Sequence, residues 1–369
     1  MTTYAAGERR RGLAVILLAT LLMFGGFFML VPLVAVHYVR DLHLAAAAVG
    51  LALGIRQLTQ QGLTLFGGAL ADRWGAKWLI CGGMWVRAVG FAGLAWAHSF
   101  AALLALCVLA ALGGALFDAP HSTAAAALTT ATNRARFFSL MGVIGGLGMT
   151  LGPLAGAALL AASWSTVCFA AAGCFVVAGT LTAVLLPPLP VVARTPADGQ
   201  RLALPAQDRP FVALTALLGG YWFLWVQLAI SLPLAAQRFA PLVLATPLGR
   251  WQLGGGAAVY VVNAGVTITL QYPMLATAER WLRPRRILLA GVLVMGVGLG
   301  LIALSTSMAG LLACVAIFSL GAMVVQPVQQ SLTVDMADPA TVGSYFGFGA
   351  LALAFGAAWA TSRAAGFTT

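Results

Sequence analysis

The stretch Gly68-Ala-Leu-Ala-Asp-Arg-Trp-Gly-Ala-Lys77 lies between the second and third long apolar segments of the chain. It is short, and it holds an acid, two cations and a glycine that can end a helix at a positive-φ turn. Two long apolar segments joined by so short a polar stretch are typical of a membrane helical hairpin. We therefore predict that the chain turns round here at a membrane surface.

The composition is that of an integral membrane protein. The chain is 61% hydrophobic and 8% charged, whereas ordinary soluble domains carry roughly 25% charged residues. A bilayer-spanning helix needs about 20 apolar residues, and such segments recur along the chain without the alternation of barrel strands. The sequence predicts an all-α membrane protein with eleven spans, at 13–36, 44–70, 79–97, 101–117, 135–159, 164–187, 211–235, 252–277, 287–305, 308–325 and 342–362.

The net charge of +11 could indicate a nucleic-acid partner, but its distribution argues against one. Loops on the same side of the membrane as the N-terminus hold most of the arginines and lysines. Loops on the opposite side hold only Arg40, Arg238, Arg250 and Arg363. This asymmetry follows the positive-inside rule and places the N-terminus in the cytoplasm. We expect no nucleic-acid partner.

An internal repeat organises the chain. Residues 112–148 align with residues 320–356 without a gap at an offset of 208, and Asp72-Arg73-Trp74 is echoed by Glu279-Arg280-Trp281. Such parallel repeats predict two homologous halves of six helices. The predicted division is an N-terminal half 1–187, a Pro-rich cytoplasmic linker 188–210 and a C-terminal half 211–369.

The second half, aligned on the first, stops one helix short at Thr369. The interpretation at this point is that the twelfth helix is missing, through truncation or an altered C-terminus. A truncated, inactive transporter therefore stays among the alternatives.

Two six-helix parallel repeats with this hairpin loop resemble the major facilitator superfamily. The loop matches the signature between its helices two and three at Gly68, Asp72, Arg73, Gly75 and Lys77, with Ala76 in place of a usual basic residue. The resemblance implies that this loop locks the cytoplasmic side in the outward-facing state. We expect Asp118, placed at the cytoplasmic end of span four, to pair with the loop cations, and Asp72 to contact the start of span eleven near Gly343.

A second motif lies in span five, where Gly148, Gly152 and Gly156 are four residues apart beside Pro153. The glycines form one smooth helix face that permits close helix contact, and Pro153 removes a backbone donor. The motif resembles that of the drug:proton antiporter branch, with Ala157 replacing a final glycine. The alternative is a generic packing face.

Further stretches resemble a group of bacterial multidrug resistance exporters within that branch. They are residues 51–62, 113–120, 136–140 and 343–347. The resemblance implies a multi-pass protein of the bacterial inner membrane.

Charge inside a membrane span is costly and indicates function by default, and Arg56 and Arg87 are the two clear cases. Arg56 shares a polar arc of span two with Gln57 and Gln60, so the arc is expected to face the central cavity or the core of the half. The alternative is a structural hydrogen-bonded network. Further substrate candidates, suited to lipophilic or cationic compounds, are Tyr221, Trp222, Trp225, Gln227 and Asn263.

Proton coupling lacks an obvious residue, because every acid falls in a loop or at a span end under these spans. The best candidates are His37 and Asp41 near the outer mouth, since histidine has a suitable unperturbed pKa. Coupling itself rests on the resemblance.

The leading hypothesis is a monomeric secondary transporter that exports drug-like compounds by alternating access, coupled to protons and without cofactor or metal. A facilitator or symporter of a specific metabolite is the alternative. A membrane enzyme is disfavoured, because Asp118 and His121 have no nucleophile or metal set beside them. The five cysteines lie in apolar spans without C-x-x-C spacing, which disfavours disulfide or metal roles.

Overall fold

The computed structural model describes residues 5–189, 205–228, 231–240, 242–246 and 249–365. These residues form eleven helices of 18 residues or more, one short helix and one antiparallel hairpin of two strands. The helices are α1 (Ala6–Val36), α2 (Ala46–Trp74), α3 (Ala76–Gly93), α4 (Phe100–Leu128), α5 (Arg134–Leu160), α6 (Trp164–Leu185), α7 (Arg209–Val226), α8 (Ser231–Ala236), α9 (Gly255–Trp281), α10 (Pro284–Leu301), α11 (Met308–Met336) and α12 (Val342–Ala365). The strands are β1 (Leu242–Thr246) and β2 (Gly249–Leu253).

Eight of these helices are long and apolar enough to cross a membrane, by length and composition. They are α1, α3, α4, α5, α6, α7, α10 and α11. The prediction of a multi-pass, all-α membrane protein is confirmed, and the eleven long helices among the described residues are compatible with the eleven predicted spans.

Matching glycine contacts confirm the internal repeat. Gly83 of α3 faces Gly113 of α4 so closely that a methyl group on Gly83 would lie 2.6 Å from the carbonyl oxygen of Gly113. Gly291 of α10 faces Gly321 of α11 in the same way. Both pairs are related by the offset of 208 seen in the sequence. The same helix crossing is therefore built twice.

Gly83→Val tests this crossing, with Gly82→Val as the matched control. A valine at Gly83 meets the backbone of α4, while Gly82 has no atom within 4 Å of the added carbon. We expect Gly83→Val to lose about 1–3 kcal/mol of stability, as overpacked sites do, and Gly82→Val to stay near wild type. The measurement is the melting temperature of the purified proteins. Equal melting temperatures for the two variants would contradict the close crossing.

The glycines of the span-five motif pack α5 against α1, a partner that the sequence analysis did not name. A methyl group on Gly148 would lie 2.9 Å from the backbone nitrogen of Gly25, and one on Gly152 would lie 2.6 Å from its oxygen. One on Gly156 would collide with the carbonyl of Met29. The α5 helix runs through Pro153 without a break.

Two predicted spans, 101–117 and 308–325, are too short at their ends. Helix α4 continues to Leu128 and α11 continues to Met336. The prediction stopped at polar residues and at Pro120 and Pro327, but a buried helix tolerates a proline when neighbouring groups satisfy the freed carbonyl. Both errors fall at equivalent places in the repeat.

The predicted span 211–235 is also wrong over its last third. Helix α7 ends at Val226, and the short helix α8 and the hairpin β1–β2 follow. The predicted end at residue 235 rested on hydropathy alone, which does not mark where a helix stops inside an apolar run.

The contacts group the chain into two compact units. The first contains Met1–Arg134, Ile144–Val212 and Thr333–Leu351. The second contains Ala135–Val143, Ala213–Leu332 and Ala352–Thr369. The domain boundaries proposed from the sequence stay a prediction, and residues 190–204 of the proposed linker lie outside the described residues.

Candidate functional site

Asp72, near the end of α2, binds the first turn of α12. Its carboxylate accepts hydrogen bonds from the backbone N–H of Gly343 at 2.7 Å, from the N–H of Ser344 at 2.7 Å and from the Ser344 hydroxyl at 2.6 Å. The first N–H groups of a helix have no partner within the helix and carry partial positive charge. The contact predicted from the sequence between Asp72 and the start of this helix is confirmed.

Glycines hold α2 and α12 close together beside this contact. A side chain on Gly68 would collide with the carbonyl of Gly343, and a methyl group on Gly347 would lie 2.8 Å from the carbonyl oxygen of Leu65. We call Gly68, Asp72, Gly343, Ser344 and Gly347 the α2–α12 seam. The seam explains why the loop motif begins with glycine and places an acid four residues later.

The remaining loop residues take separate roles. Gly75 ends α2 with a φ of 86°, the positive value that the sequence predicted. The Lys77 ammonium donates to the carbonyl oxygen of Leu186 at 2.6 Å, just past the end of α6. A cation is favourable at that end of a helix. Arg73 is exposed.

The predicted pairing of Asp118 with the loop cations is wrong. Because α4 continues to Leu128, Asp118 lies in the helix interior and not at its end. Its carboxylate instead accepts a hydrogen bond from the Gln60 amide of α2 at 2.8 Å. The expectation that every acid lies in a loop or at a span end is corrected by the same observation.

Two ion pairs were not predicted from the sequence. Arg134, at the start of α5, pairs with Asp335 of α11 at 2.5 Å, within the first unit. Arg136 pairs with Glu279 of α9 at 2.9 Å, within the second unit. Glu279 is the repeat counterpart of Asp72, so both acids bind the start of another helix. The signal available in the sequence was the acid–Arg–Trp echo.

Arg56, Gln60, Arg87 and Asp118 form one buried polar cluster in the first unit. The Gln60 amide oxygen accepts from the Arg56 guanidinium at 3.2 Å and from that of Arg87 at 3.4 Å. Arg56 also donates to Gln57 at 2.9 Å. Arg87 is 2% exposed and Arg56 is 8% exposed. Of the polar arc predicted on α2, Arg56 and Gln60 are buried in this unit and Gln57 is exposed.

Aromatic rings cover the two guanidinium groups. The Phe27 ring centroid lies 4.9 Å from the Arg56 guanidinium carbon and 5.0 Å from that of Arg87, and the Phe175 ring lies 5.5 Å from the latter. Such cation–π contacts offset part of the cost of burying charge.

The His37 and Asp41 pair lies on a π-helical turn, His37–Asp41, that follows α1. The His37 Nδ1 is 2.7 Å from a carboxylate oxygen of Asp41. The His37 ring stacks on Trp164 with centroids 4.1 Å apart. Single π-helical turns occur frequently at functional sites. The coupling role of the pair stays a prediction.

The aromatic residues of α7 divide between core and partly exposed positions. Tyr221 is 1% exposed and belongs to the apolar core of the second unit. Trp222 and Trp225 are partly exposed and pack edge to face with centroids 5.6 Å apart. The Tyr221 ring in turn packs edge to face on Trp222, with centroids 5.1 Å apart.

The two remaining substrate candidates, Gln227 and Asn263, are held by neighbouring side chains. Gln227 lies in the turn after α7 and accepts from the Ser231 hydroxyl at 2.5 Å. Asn263 of α9 donates to the Ser319 hydroxyl of α11 at 2.8 Å. Both amides thus stabilise the second unit in this conformation.

The sequence model of the Major Facilitator Superfamily matches residues 16–361. The chain belongs to the major facilitator superfamily. Among its relatives in the superfamily, the multidrug resistance protein MdtH of Aeromonas salmonicida is 37% identical over 348 residues, which cover 94% of this chain and 85% of the relative. MdtH of Edwardsiella ictaluri is 39% identical over 354 residues, which cover 95% and 85%.

Solved structures of the superfamily share the fold. The crystal structure of the human organic anion transporter MFSD10 aligns with a TM-score of 0.72 and 21% identity over 94% of this chain and 92% of its own. The proton:xylose symporter XylE aligns with a TM-score of 0.67 and 15% identity over 95% and 86%. Both alignments cover nearly the whole chain, so the two structures share its fold.

Proposed function

We propose that the chain is a secondary active transporter that exports drug-like, amphipathic compounds from the bacterial cytoplasm by alternating access. The observation that supports this most is the similarity, at 37–39% identity over 94–95% of the chain, to proteins named multidrug resistance proteins. The proposed protein is a monomer in the inner membrane with its N-terminus in the cytoplasm, and it has no nucleic-acid partner.

The α2–α12 seam supports the alternating-access part of the proposal. The carboxylate of Asp72 reaches three donors at the start of α12, and hydrogen bonds to a charged group contribute about 1.5–3 kcal/mol each. An interaction of this size can hold the cytoplasmic side closed and still be broken in a transport cycle. The seam is the proposed cytoplasmic lock.

Proton coupling is proposed at His37 and Asp41. The pair is accessible, because the Asp41 side chain is 62% exposed, and it lies at the opposite end of α1 from the arginines of the N-terminus. The His37 ring nitrogen and the Asp41 carboxylate oxygen are 2.7 Å apart, so the two groups can share one proton. His37→Asn and Asp41→Asn are therefore expected to lower the effect of a pH gradient on efflux.

The test is efflux from cells that lack their own multidrug pumps. Cells expressing the wild type are expected to extrude ethidium and to tolerate several unrelated drugs, and a protonophore is expected to abolish the extrusion. Normal membrane insertion without efflux of any dye would contradict the proposed function. Efflux that resists the protonophore would contradict proton coupling alone.

A further inference from the structure

We propose that Arg56 and Arg87 form a binding site for the carboxylate of an acidic or zwitterionic substrate. This inference rests on the proposed export function and names the substrate class at one part of the transport path. The site is the buried cluster of Arg56, Gln60, Arg87 and Asp118, in the first compact unit.

The first argument is that two cations converge on one neutral oxygen. The amide oxygen of Gln60 accepts from both guanidinium groups, at 3.2 and 3.4 Å. Guanidinium groups bind carboxylates through shorter bonds, roughly twice as strong as those to neutral acceptors. A carboxylate placed beside this oxygen would meet both arginines. Gln60 therefore marks the place where an anion is best accommodated.

The second argument is that some guanidinium N–H groups of the two arginines have no hydrogen-bond acceptor. Among the residues that the structure describes, Arg87 has no hydrogen-bond acceptor for Nε or Nη1, and Arg56 has none for Nε. The Arg87 side chain is almost completely buried, with 2% of its surface exposed. A buried charge without acceptors is costly. The cluster therefore lacks acceptors that a ligand can supply.

The third argument is the charge of the cluster. Two guanidinium groups face one carboxylate, and within the described residues Asp118 makes no direct ion pair with either, because the Gln60 amide lies between them. One positive charge therefore has no counter-charge, although it lies buried between long apolar helices. An anionic substrate would neutralise it, and a cationic substrate would increase it.

The fourth argument compares Arg87 with the residue at the equivalent position of the second half of the repeat. The added carbon on Gly113 would lie 2.6 Å from the backbone nitrogen of Arg87, and that on Gly321 would lie 2.6 Å from the nitrogen of Met295. Met295 thus occupies the position of Arg87 in the other half, and it is fully buried. The helix crossing accepts an apolar side chain there, so packing does not require the arginine.

Gln57 is exposed and Asp118 is partly exposed, so the proposed ligand would approach the cluster from their side. Arg56 is the first cation on that route, because it donates to Gln57. Asp118 acts as the resident counter-charge. A proton on Asp118 would leave two cations with no acid, so it is not assigned as the coupling residue.

The experiment compares a rhodamine dye that carries a free benzoic acid with the methyl ester of the same dye. The two dyes share a ring system and differ by one carboxylate. Efflux of each is measured in pump-deficient cells, and binding of each is measured by thermal stabilisation of the purified protein in lipid nanodiscs. The variants are Arg56→Gln, Arg56→Lys and the exposed control Arg280→Gln.

The wild type is expected to bind the free acid at least tenfold more tightly than the ester, about 1.4 kcal/mol. Arg56→Gln should weaken binding of the free acid until the preference is lost, Arg56→Lys should restore it in part, and the exposed control Arg280→Gln should leave it unchanged. Efflux of the ester with no preference for the acid would overturn this inference and leave the proposed function intact. Failure to export either dye would contradict the proposed function itself.

Two further outcomes overturn the inference. Loss of both dyes in Arg56→Gln, with normal insertion and an unchanged preference for the acid in nanodiscs, would assign Arg56 a structural role. Stabilisation of the wild type by chloride alone, with no additional effect of the free acid, would assign the site to a small inorganic anion.

Discussion

Gly68→Leu is expected to abolish dye efflux while the protein still inserts into the membrane. A side chain at this position collides with the carbonyl of Gly343, and backbone cannot move aside as the end of a flexible side chain can. Overpacking of this kind typically costs about 1–3 kcal/mol. Here the cost falls on the conformation in which the α2–α12 seam is closed, so transport suffers more than folding.

The matched control is Gly62→Leu in the same helix. Gly62 is exposed and has no atom within 4 Å of an added carbon, so we expect efflux close to that of the wild type. Ethidium efflux and the amount of protein in the membrane are measured side by side. Wild-type efflux in Gly68→Leu would show that the seam need not close during transport.

Asp72→Ala is the second change with a large expected effect. It removes the acceptor of three hydrogen bonds from Gly343 and Ser344. Since hydrogen bonds to a charged group contribute about 1.5–3 kcal/mol each and are not additive, we expect the closed seam to lose about 3 kcal/mol. A loss of that size shifts the equilibrium more than a hundredfold, so efflux should fall to background.

Ser344→Ala is the graded control for Asp72→Ala. It removes the hydroxyl donor and leaves the two backbone donors to the carboxylate, so efflux should fall only in part. The measurement is the initial rate of dye efflux at equal protein in the membrane. A Ser344→Ala variant as inactive as Asp72→Ala would contradict the central role of the backbone donors.

The sequence predicted the fold because its signals are local and repeated. The long apolar segments and the loop glycine Gly75 each depend on a few neighbouring residues, and the offset of 208 repeats the pattern in the second half. That Asp72 binds the start of another helix followed from the rule that an acid is favourable at a helix N-terminus, but the rule alone does not choose α12.

The interior cluster was only half predicted, for a physical reason. A helix in the membrane can continue past Asp118 and Pro120 when neighbouring helices satisfy their polar groups. The sequence of one helix does not show which neighbouring helix supplies those hydrogen bonds. Because the predicted fourth span ended too early, at residue 117, the prediction placed Asp118 with the loop cations instead of with Gln60. The polar arc on α2 was correctly identified, because helical spacing alone brings its members to one face.

The most direct test of the account is the rate at which a water-soluble maleimide labels Ser344→Cys from the cytoplasmic side. The variant keeps the backbone donors to Asp72, and it is placed in a background without the five native cysteines. We predict slow labelling when the seam is closed, a severalfold change in rate on adding an exported dye, and fast labelling with Asp72→Ala in either case. A rate that depends neither on the dye nor on Asp72 would contradict the proposal that this seam closes and opens during transport.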